Sequence, residues 1–298
     1  MSKNLIVAYG GVSPEHEVSV LSAMQVMAVL EKSDYDIIPL YISKSGKWLT
    51  GEALTKLSLY KDLKNLEQQC RLCHFSRDDA GITYLSERGG GLFSKSKEYQ
   101  VHAVFCSFHG GEGENGSFQG LCEQFNIPYT GSGVMASSVG MDKVSAKRLC
   151  SAAGIRVTRW VDFLESEWVE NERELLNEME NMGYPLVVKP VHLGSSIGVV
   201  KAEDPDSLTN AIETAFRYDQ HVLVEEAIQP LMEINCSVLG DAEDYKLSVC
   251  ERPLGKSETL SFEDKYQSGG SNEKGMASAD RVIPADISEE LTKKIQEI

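Results

Sequence analysis

The amino-acid pattern predicts an α/β chain: a Rossmann-like parallel sheet at the N-terminal end, followed by an α+β region of a different build. Three observations carry this. An apolar run, Leu5 to Tyr9, closes on Gly10-Gly11 and is followed by a helical stripe and a second apolar run, Ile37 to Ile42. From residue 156 the pattern changes to short strands, hairpins and intervening helices. Residues 255 to 281 are rich in Gly, Ser, Lys and Glu and read as one long loop; loops of that length in compact domains are usually functional.

In chain order, Leu5 to Tyr9 is short and wholly apolar, as a buried parallel strand should be. A helix is expected from near Val18, because Val20, Ala23, Met24, Met27 and Leu30 fall at i, i+3, i+4, i+7 and i+10. With Ile37 to Ile42 this makes a βαβ unit. The G-x-G-x-x-G fingerprint is absent, so dinucleotide binding has no support. Residues 50 to 100 look polar and irregular, a peripheral insertion with a turn at Gly89-Gly90-Gly91. Val101 to Phe108 reads as a strand ending in His109-Gly110-Gly111, and Met135 to Ala153 as one helix stopped by Gly154.

In the second region Val157 to Phe163 reads as a strand and Glu172 to Met182 as a helix. Leu186 to Lys189 and Gly198 to Lys201 read as strands around a Gly/Ser loop. Asp206 or Ser207 is the expected cap of a helix with Leu208, Ala211, Ile212, Ala215 and Phe216 on one face. Val222 to Glu225, Ile234 to Leu239 and Lys246 to Cys250 complete the strands. Leu291 to Ile298 is the start of a helix inside which the sequence stops, so a continuation is expected.

The composition is that of an ordinary globular protein: 298 residues, 42% hydrophobic and 25% charged. A net charge of −16 disfavours nucleic acid and anionic membrane as partners. It allows an anionic ligand only where local cations, metal ions or backbone N–H groups supply the field. The apolar part of the N-terminus is too short for a signal peptide, and no run is long enough to span a membrane, so a cytoplasmic location is expected. Seven cysteines without a framework suit reduced thiols. Cys70-Arg71-Leu72-Cys73-His74 has the haem-attachment spacing, but that chemistry needs export, and coincidence is the preferred reading.

The strongest local motif is Lys189-Pro190 followed by Gly194-Ser195-Ser196-Ile197-Gly198. Glycines let backbone N–H groups approach phosphate oxygens, serines add donors and Lys189 adds a point charge. Alone, such a loop is more often a plain hairpin turn. A lysine at the end of an apolar strand weakens that alternative, since it must snorkel or meet an anion.

With its neighbours this segment resembles the ATP-grasp superfamily, and within it the D-alanine–D-alanine ligase family. The resemblance runs from Gly10-Gly11-Val12-Ser13-Pro14-Glu15-His16-Glu17-Val18-Ser19, through His109-Gly110, Gly113-Glu114-Asn115-Gly116, Gly131-Ser132-Gly133 and Met141-Asp142-Lys143, to Lys265-Tyr266. Residues 50 to 100 carry none of it. It implies a Rossmann-like domain over 1–130 and an ATP-grasp α+β fold in two subdomains, 131–226 and 227–298, the last incomplete.

The resemblance also implies roles. Glu17 binds the ammonium of the first D-alanine, although helix capping alone would also explain a carboxylate there. His109 lies at the substrate pocket. Lys143 and Lys189, with Gly194, Ser195 and Ser196, hold the ATP phosphates. Glu225, Glu226 and Ile228 meet adenine, and Glu233 meets the ribose. A solvated face is the plainer reading of Lys143 and of these acids. Lys265 and Tyr266 belong to a lid over ATP and substrate, hinged at Gly269, Gly270 and Gly275. Tyr266, Ser195 and Glu17 form a hydrogen-bond chain that serves catalysis.

ATP is the implied co-substrate, Mg²⁺ or Mn²⁺ the implied metal and a homodimer the implied assembly. The family's metal ligands, and an Arg that stabilises the reaction, are expected beyond Ile298. A chain that truly ended there should bind nucleotide weakly and turn over little. Asn115 replaces the family's Asp in a turn. Tyr266 favours D-alanine over D-lactate as second substrate, whereas D-serine stays open. The alternative of another class is a non-catalytic nucleotide-binding protein.

Overall fold

Residues 3–88, 97–254 and 281–298 are described by the computed structural model. The chain divides into two units, 1–141 and 142–298; α4 (Val134–Met141), placed after the expected boundary at 130/131, thereby falls in the first.

In the first unit, β1 (Lys3–Gly10) lies between β2 (Tyr35–Ile42) and β7 (Ala103–Cys106), parallel to both, with Leu5 opposite Ile37 and Ala103. A central parallel strand is covered on both faces, and residues 5–10 are all buried. Ile6 and Ala8 enter one core cluster and Val7 and Tyr9 another, as the two-residue period requires. The crossover helix α1 (His16–Leu30) buries Val20, Ala23 and Met27. The predicted βαβ unit is therefore present.

The peripheral reading of residues 50 to 100 is overturned. β3 (Trp48–Thr50), β4 (Arg71–Arg77), β5 (Thr83–Glu87) and β6 (Glu98–Gln100) extend the sheet antiparallel in the order β6-β5-β4-β3-β2-β1-β7. Two 3-10 turns and α2 (Leu63–Gln69) connect β3 to β4. Leu54, Leu66 and Leu85 are fully buried. The strands are short and half-exposed, so no long apolar run marks them. The turn expected at Gly89-Gly90-Gly91 lies outside the described residues. Cys70 and Cys73 pack into different clusters, and burial pushes their thiols up to about 11 and about 12.

The helix expected over Met135 to Ala153 is two helices. Asp142 adopts an extended conformation between α4 and α5 (Lys143–Ala152) and caps the latter by accepting the Ser145 N–H at 2.8 Å.

In the second unit, β8 (Trp160–Leu164), β9 (Leu186–Pro190), β10 (Val200–Ala202) and β11 (His221–Glu226) form an antiparallel sheet in the order β10-β9-β11-β8. α6 (Glu165–Glu180) and α7 (Pro205–Phe216) pack with Phe163, Leu186, Val188, Val222 and Val224 into one core. The cap of α7 is Asp204, earlier than expected, in a reciprocal pair with Ser207; Pro205 takes the first helical position. A hairpin of β12 (Val238–Gly240) and β13 (Tyr245–Leu247), a pair of β14 (Arg252–Pro253) and β15 (Arg281–Val282), and α8 (Glu289–Gln296) follow. Among the described residues no helix is long and apolar enough to cross a membrane.

Because Leu85 is a core side chain, Leu85→Ala is expected to lower the unfolding free energy by roughly 2–5 kcal/mol, read from urea denaturation. A change within about 0.5 kcal/mol, normal for a surface site, would return β5 to the periphery.

Candidate active site

The two-residue period of β9 and β11 sorts their side chains. Leu186, Val188, Val222 and Val224 face the helices, which leaves Val187, Lys189, Leu223 and Glu225 on the opposite face. The register sets Lys189 opposite Leu223 and Glu225 opposite Val187, so Lys189 and Glu225 are diagonal neighbours. They form an ion pair through Lys189 Nζ and Glu225 Oε1. The other carboxylate oxygen accepts from Lys147 Nζ at 2.6 Å and from the Thr158 hydroxyl at 2.8 Å. Lys147 also lies over the Trp160 ring, 5.2 Å from its centre. Burial alone would raise the Glu225 carboxyl; Lys189, Lys147 and Thr158 outweigh it and hold the carboxyl at about 2.

Lys143 opens α5, and its ammonium donates to the carbonyls of Val191, at 3.3 Å, and Leu193 at the root of the Gly-Ser loop. Burial pushes that ammonium down, and the like charge of Lys189 adds to the effect, to about 8. Within the loop Ser195 and Ser196 both take positive φ, 51° and 58°. Non-glycine residues adopt this conformation at a cost and cluster at ligand clamps. Gly198, at φ 71°, packs so closely that a Cβ would lie 2.8 Å from Pro190 Cγ and 2.9 Å from Tyr218 Cδ2.

A cleft of about 760 Å³ opens beside this cluster. Lys189, Glu225, Glu226, Ile228 and Glu233, all expected from the sequence, line it together with Val187, Leu231 and Met232. Ile228, Leu231 and Met232 are 59%, 41% and 51% exposed, an apolar surface suited to a flat ring. Glu226 turns its carboxylate to Arg159, accepting from its backbone N–H at 3.1 Å and Nε at 2.9 Å. Lys143, Gly194, Ser195 and Ser196 lie around the end of β9 and are not among the residues lining the cleft.

Sequence reasoning missed Lys147, Thr158, Lys201 and Arg252. Lys147 stands one helical turn after Lys143, a spacing that put it on the same face. Lys201 and Arg252 also line the cleft.

In the first unit, Glu17 stands in the first turn of α1 and pairs with Lys44. Burial would raise its carboxyl, but the hydrogen bond from Lys44 leads the interactions that lower it overall. His109 follows β7; its Nε2 is 2.9 Å from the Ser22 hydroxyl of α1, and its carbonyl accepts from the Ser13 hydroxyl at 2.8 Å. Gly110 permits this approach, since a Cβ there would lie 2.6 Å from Ser13 Oγ. Both residues thus sit past strand ends of the parallel part of the sheet, where open α/β sheets bind ligands. Lys265, Tyr266 and the glycines expected to hinge the lid lie outside the described residues. Among the described residues no group of three or more His, Cys, Asp or Glu side chains could hold a metal ion, so a divalent cation finds no fitting ligand set there.

An antiparallel sheet with Lys189 and an acidic hinge lining a cleft and a Gly-Ser loop and Lys143 at the end of β9, preceded in sequence by a Rossmann-like unit, has the build of the ATP-grasp class. Comparison with known proteins narrows this. The family models described as D-ala D-ala ligase N-terminus and D-ala D-ala ligase C-terminus match residues 4–132 and 149–298. The D-alanine–D-alanine ligase of Thermosipho melanesiensis is 38% identical over 297 residues, covering 99% of this chain and 77% of the relative. That of Geobacillus thermodenitrificans is 35% identical over 300 residues, with the same coverage. Among solved structures, the D-alanine–D-alanine ligase from Coxiella burnetii superposes with a TM-score of 0.76 at 29% identity, covering all of this chain and 75% of that one. The VanG D-Ala:D-Ser ligase from Enterococcus faecalis does so at 0.77 and 31%, covering all of this chain and 80% of that one. The chain belongs to the D-alanine–D-alanine ligase family.

Glu225→Gln is expected to destabilise the second unit by about 3 kcal/mol, since Lys147 and Lys189 lose their shared counter-charge. Between an ordinary carboxyl pKa of 4.5 and about 2, the unfolded chain binds the proton and the folded chain does not. The wild type should therefore hold its full advantage above pH 4.5 and lose it as pH falls towards 2. Chemical denaturation at several acidic pH values reads the gap; a gap independent of pH contradicts the ion-pair account.

Proposed function

We propose that the protein joins two D-alanine molecules at the expense of ATP, for peptidoglycan precursors, in the cytoplasm. The observation that carries this is the match of both halves of the chain, 4–132 and 149–298, to one ligase family. The carboxylate of the first D-alanine attacks the γ-phosphorus of ATP, and ADP leaves with the electrons of the broken P–O bond. The amine of the second D-alanine attacks the acyl-phosphate carbonyl, loses a proton, and phosphate departs.

Phosphoryl transfer asks a protein mainly for positioning and charge. Lys143, Lys189 and the loop through Gly194, Ser195 and Ser196 serve the phosphates. Ile228, with Leu231 and Met232, offers the adenine an apolar bed, and Glu233 faces the ribose hydroxyls. Glu225 acts by holding Lys189 and Lys147 in place, and Glu226 by fixing the hinge to Arg159. Glu17 receives the ammonium of the first D-alanine, exchanging it for Lys44, and His109 borders that pocket. Lys265 and Tyr266, outside the described residues, and Ser195 and Glu17 are assigned to the substrates by the family resemblance.

The curated relatives quoted above favour D-alanine as second substrate; the D-Ala:D-Ser ligase among the structural neighbours makes D-serine the competitor to test. Full-length protein supplied with ATP, Mg²⁺, D-alanine and D-serine is expected to release phosphate only when D-alanine is present and to yield D-alanyl-D-alanine by mass. A predominant D-alanyl-D-serine product would overturn the substrate, and D-alanine-independent release the reaction.

Lys143 gives a pH dependence. It carries its charge below about 8 and loses it above, so kcat/KM for ATP, which reports free-enzyme ionisation, should fall as pH rises through about 8. Lys143→Arg should shift that decline to higher pH. An unshifted decline would assign it to another group.

A further inference from the structure

Two cysteines face each other across the strand pair that leaves the cleft. Asn235 and Glu251 exchange both backbone bonds, each N–H donating to the other's carbonyl at 2.8 Å. Further along, the Ser248 N–H donates to the Ser237 carbonyl at 2.9 Å, so the strands stay together up to β12 and β13. Cys236 and Cys250 lie between these contacts. Antiparallel pairing alternates, so the pair next to Asn235 and Glu251 is one without backbone bonds of its own. Side chains stand closest in such pairs, with Cα atoms about 4.5 Å apart. Disulfides span Cα separations of roughly 4.4 to 6.8 Å. The thiols also meet: burial raises the Cys250 thiol, and the charge and hydrogen bond of Cys236 add to the rise.

We infer that Cys236 and Cys250 form a redox modification site that takes low-molecular-weight disulfides and closes into an intramolecular disulfide, fixing the two cleft walls to which their strands lead. Leu231, Met232 and Glu233 line the cleft just before Cys236, and Arg252, Pro253 and Leu254 line it just after Cys250. The effect on ATP rests on the nucleotide role proposed above.

The two thiols suit the two steps. Cys236 is half-buried and within reach of a small oxidant, whereas Cys250 is 2% exposed. The Cys236 thiolate attacks one sulfur of the incoming disulfide, whose S–S bond breaks, and the first small thiol leaves with a proton from solvent. The Cys250 thiolate then attacks the Cys236 sulfur and expels the second small thiol. Two protein thiols are oxidised to one disulfide, and the small disulfide is reduced to two thiols. Cys250 is well placed to resolve the mixed disulfide, because its carbonyl is held by the Ala285 N–H at 2.8 Å while its thiol stays beside Cys236. Cys236 donates to the Ser248 carbonyl at 3.5 Å; on ionisation the Ser248 hydroxyl, 3.9 Å from the sulfur, can turn to it.

The bond would preserve the strand spacing of the ligand-free protein. A nucleotide that draws the walls together works against it, so oxidation weakens nucleotide binding. By linkage, bound nucleotide opposes oxidation by the same factor.

The test equilibrates the full-length protein in glutathione buffers of graded disulfide content, then traps the thiols and maps peptides by mass. A peptide pair joined through Cys236 and Cys250, lighter by two hydrogens, is expected. Reduced protein throughout, or glutathione left attached to Cys236, overturns the site. A non-hydrolysable ATP analogue at saturation should raise the oxidant needed for half-conversion by about fivefold, the low end of couplings between sites. Its Kd should rise by the same factor on oxidation, and Cys236→Ser should abolish that rise. A midpoint indifferent to bound analogue, or a redox-dependent Kd that survives in Cys236→Ser, overturns the link to the cleft. Formation of the disulfide in a protein that binds no analogue, oxidised or reduced, would refute the nucleotide role and the link together while leaving the modification site established.

Discussion

The second unit depends on how one carboxylate is shared. Glu225 stands on the open face of β11, touches Lys189 with one oxygen and holds Lys147 and Thr158 with the other. Removing an ionised carboxylate from water is expensive unless its oxygens find donors. Here the three donors come from β9, α5 and the segment entering β8. Each arrives by a separate backbone route, so the cluster forms only when the sheet register and the seat of α5 are both correct. The ionised site is therefore also a check on the fold around it.

The two units solve the same placement problem differently. In the first, a parallel strand covered on both faces ends in glycine turns, and the side chains past those ends, Glu17 and His109, owe their positions to close backbone approach. Ser19 secures the junction by accepting from Gly10 N–H and donating to the Ser107 carbonyl. In the second, α6 and α7 cover one face of the antiparallel sheet, and α5 meets the other through Val144 against Leu223 and Lys147 against Glu225. That second face is only partly covered and carries polar residues, which is why Lys189 and Glu225 can sit within strands whose alternate positions are wholly apolar.

Legibility in the sequence followed the strength of local periodicity. The βαβ start was readable because Leu5 to Tyr9 is continuous and Val20, Ala23 and Met27 keep helical spacing. Lys189 stood out as a charge ending an apolar strand before a glycine loop. Residues 50 to 100 were misread because β3 to β6 are short and half-exposed, so Cys73, Phe75 and Leu85 alternate with polar neighbours without building a run. The break at Asp142 was hidden because apolar spacing continues on both sides; only the cap to Ser145 reveals a new start. Lys147 was missed for another reason: its partner is 78 positions away, a pairing set by strand register, and the only local sign was its one-turn spacing from Lys143.

The acidity of the chain sharpens what the cation cluster must do. A net charge of −16 repels a polyphosphate from a distance, so attraction has to be local. Lysines crowded together without an anion repel one another, and the depressed pKa of Lys143 records that repulsion along with burial. Glu225 relieves it by lending Lys189 and Lys147 a negative partner in the ligand-free protein. Under the proposed function an arriving triphosphate offers more charge than the single carboxylate can, and it also favours the charged form of Lys143. Lys189 then has two anionic acceptors available, while Lys147 keeps Glu225 and the Thr158 hydroxyl. The division of one carboxylate between a lysine that can be drawn to the ligand and a lysine that stays behind keeps Glu225 ionised and paired in both states. That is the condition for the site to bind its anion without leaving a buried charge uncompensated.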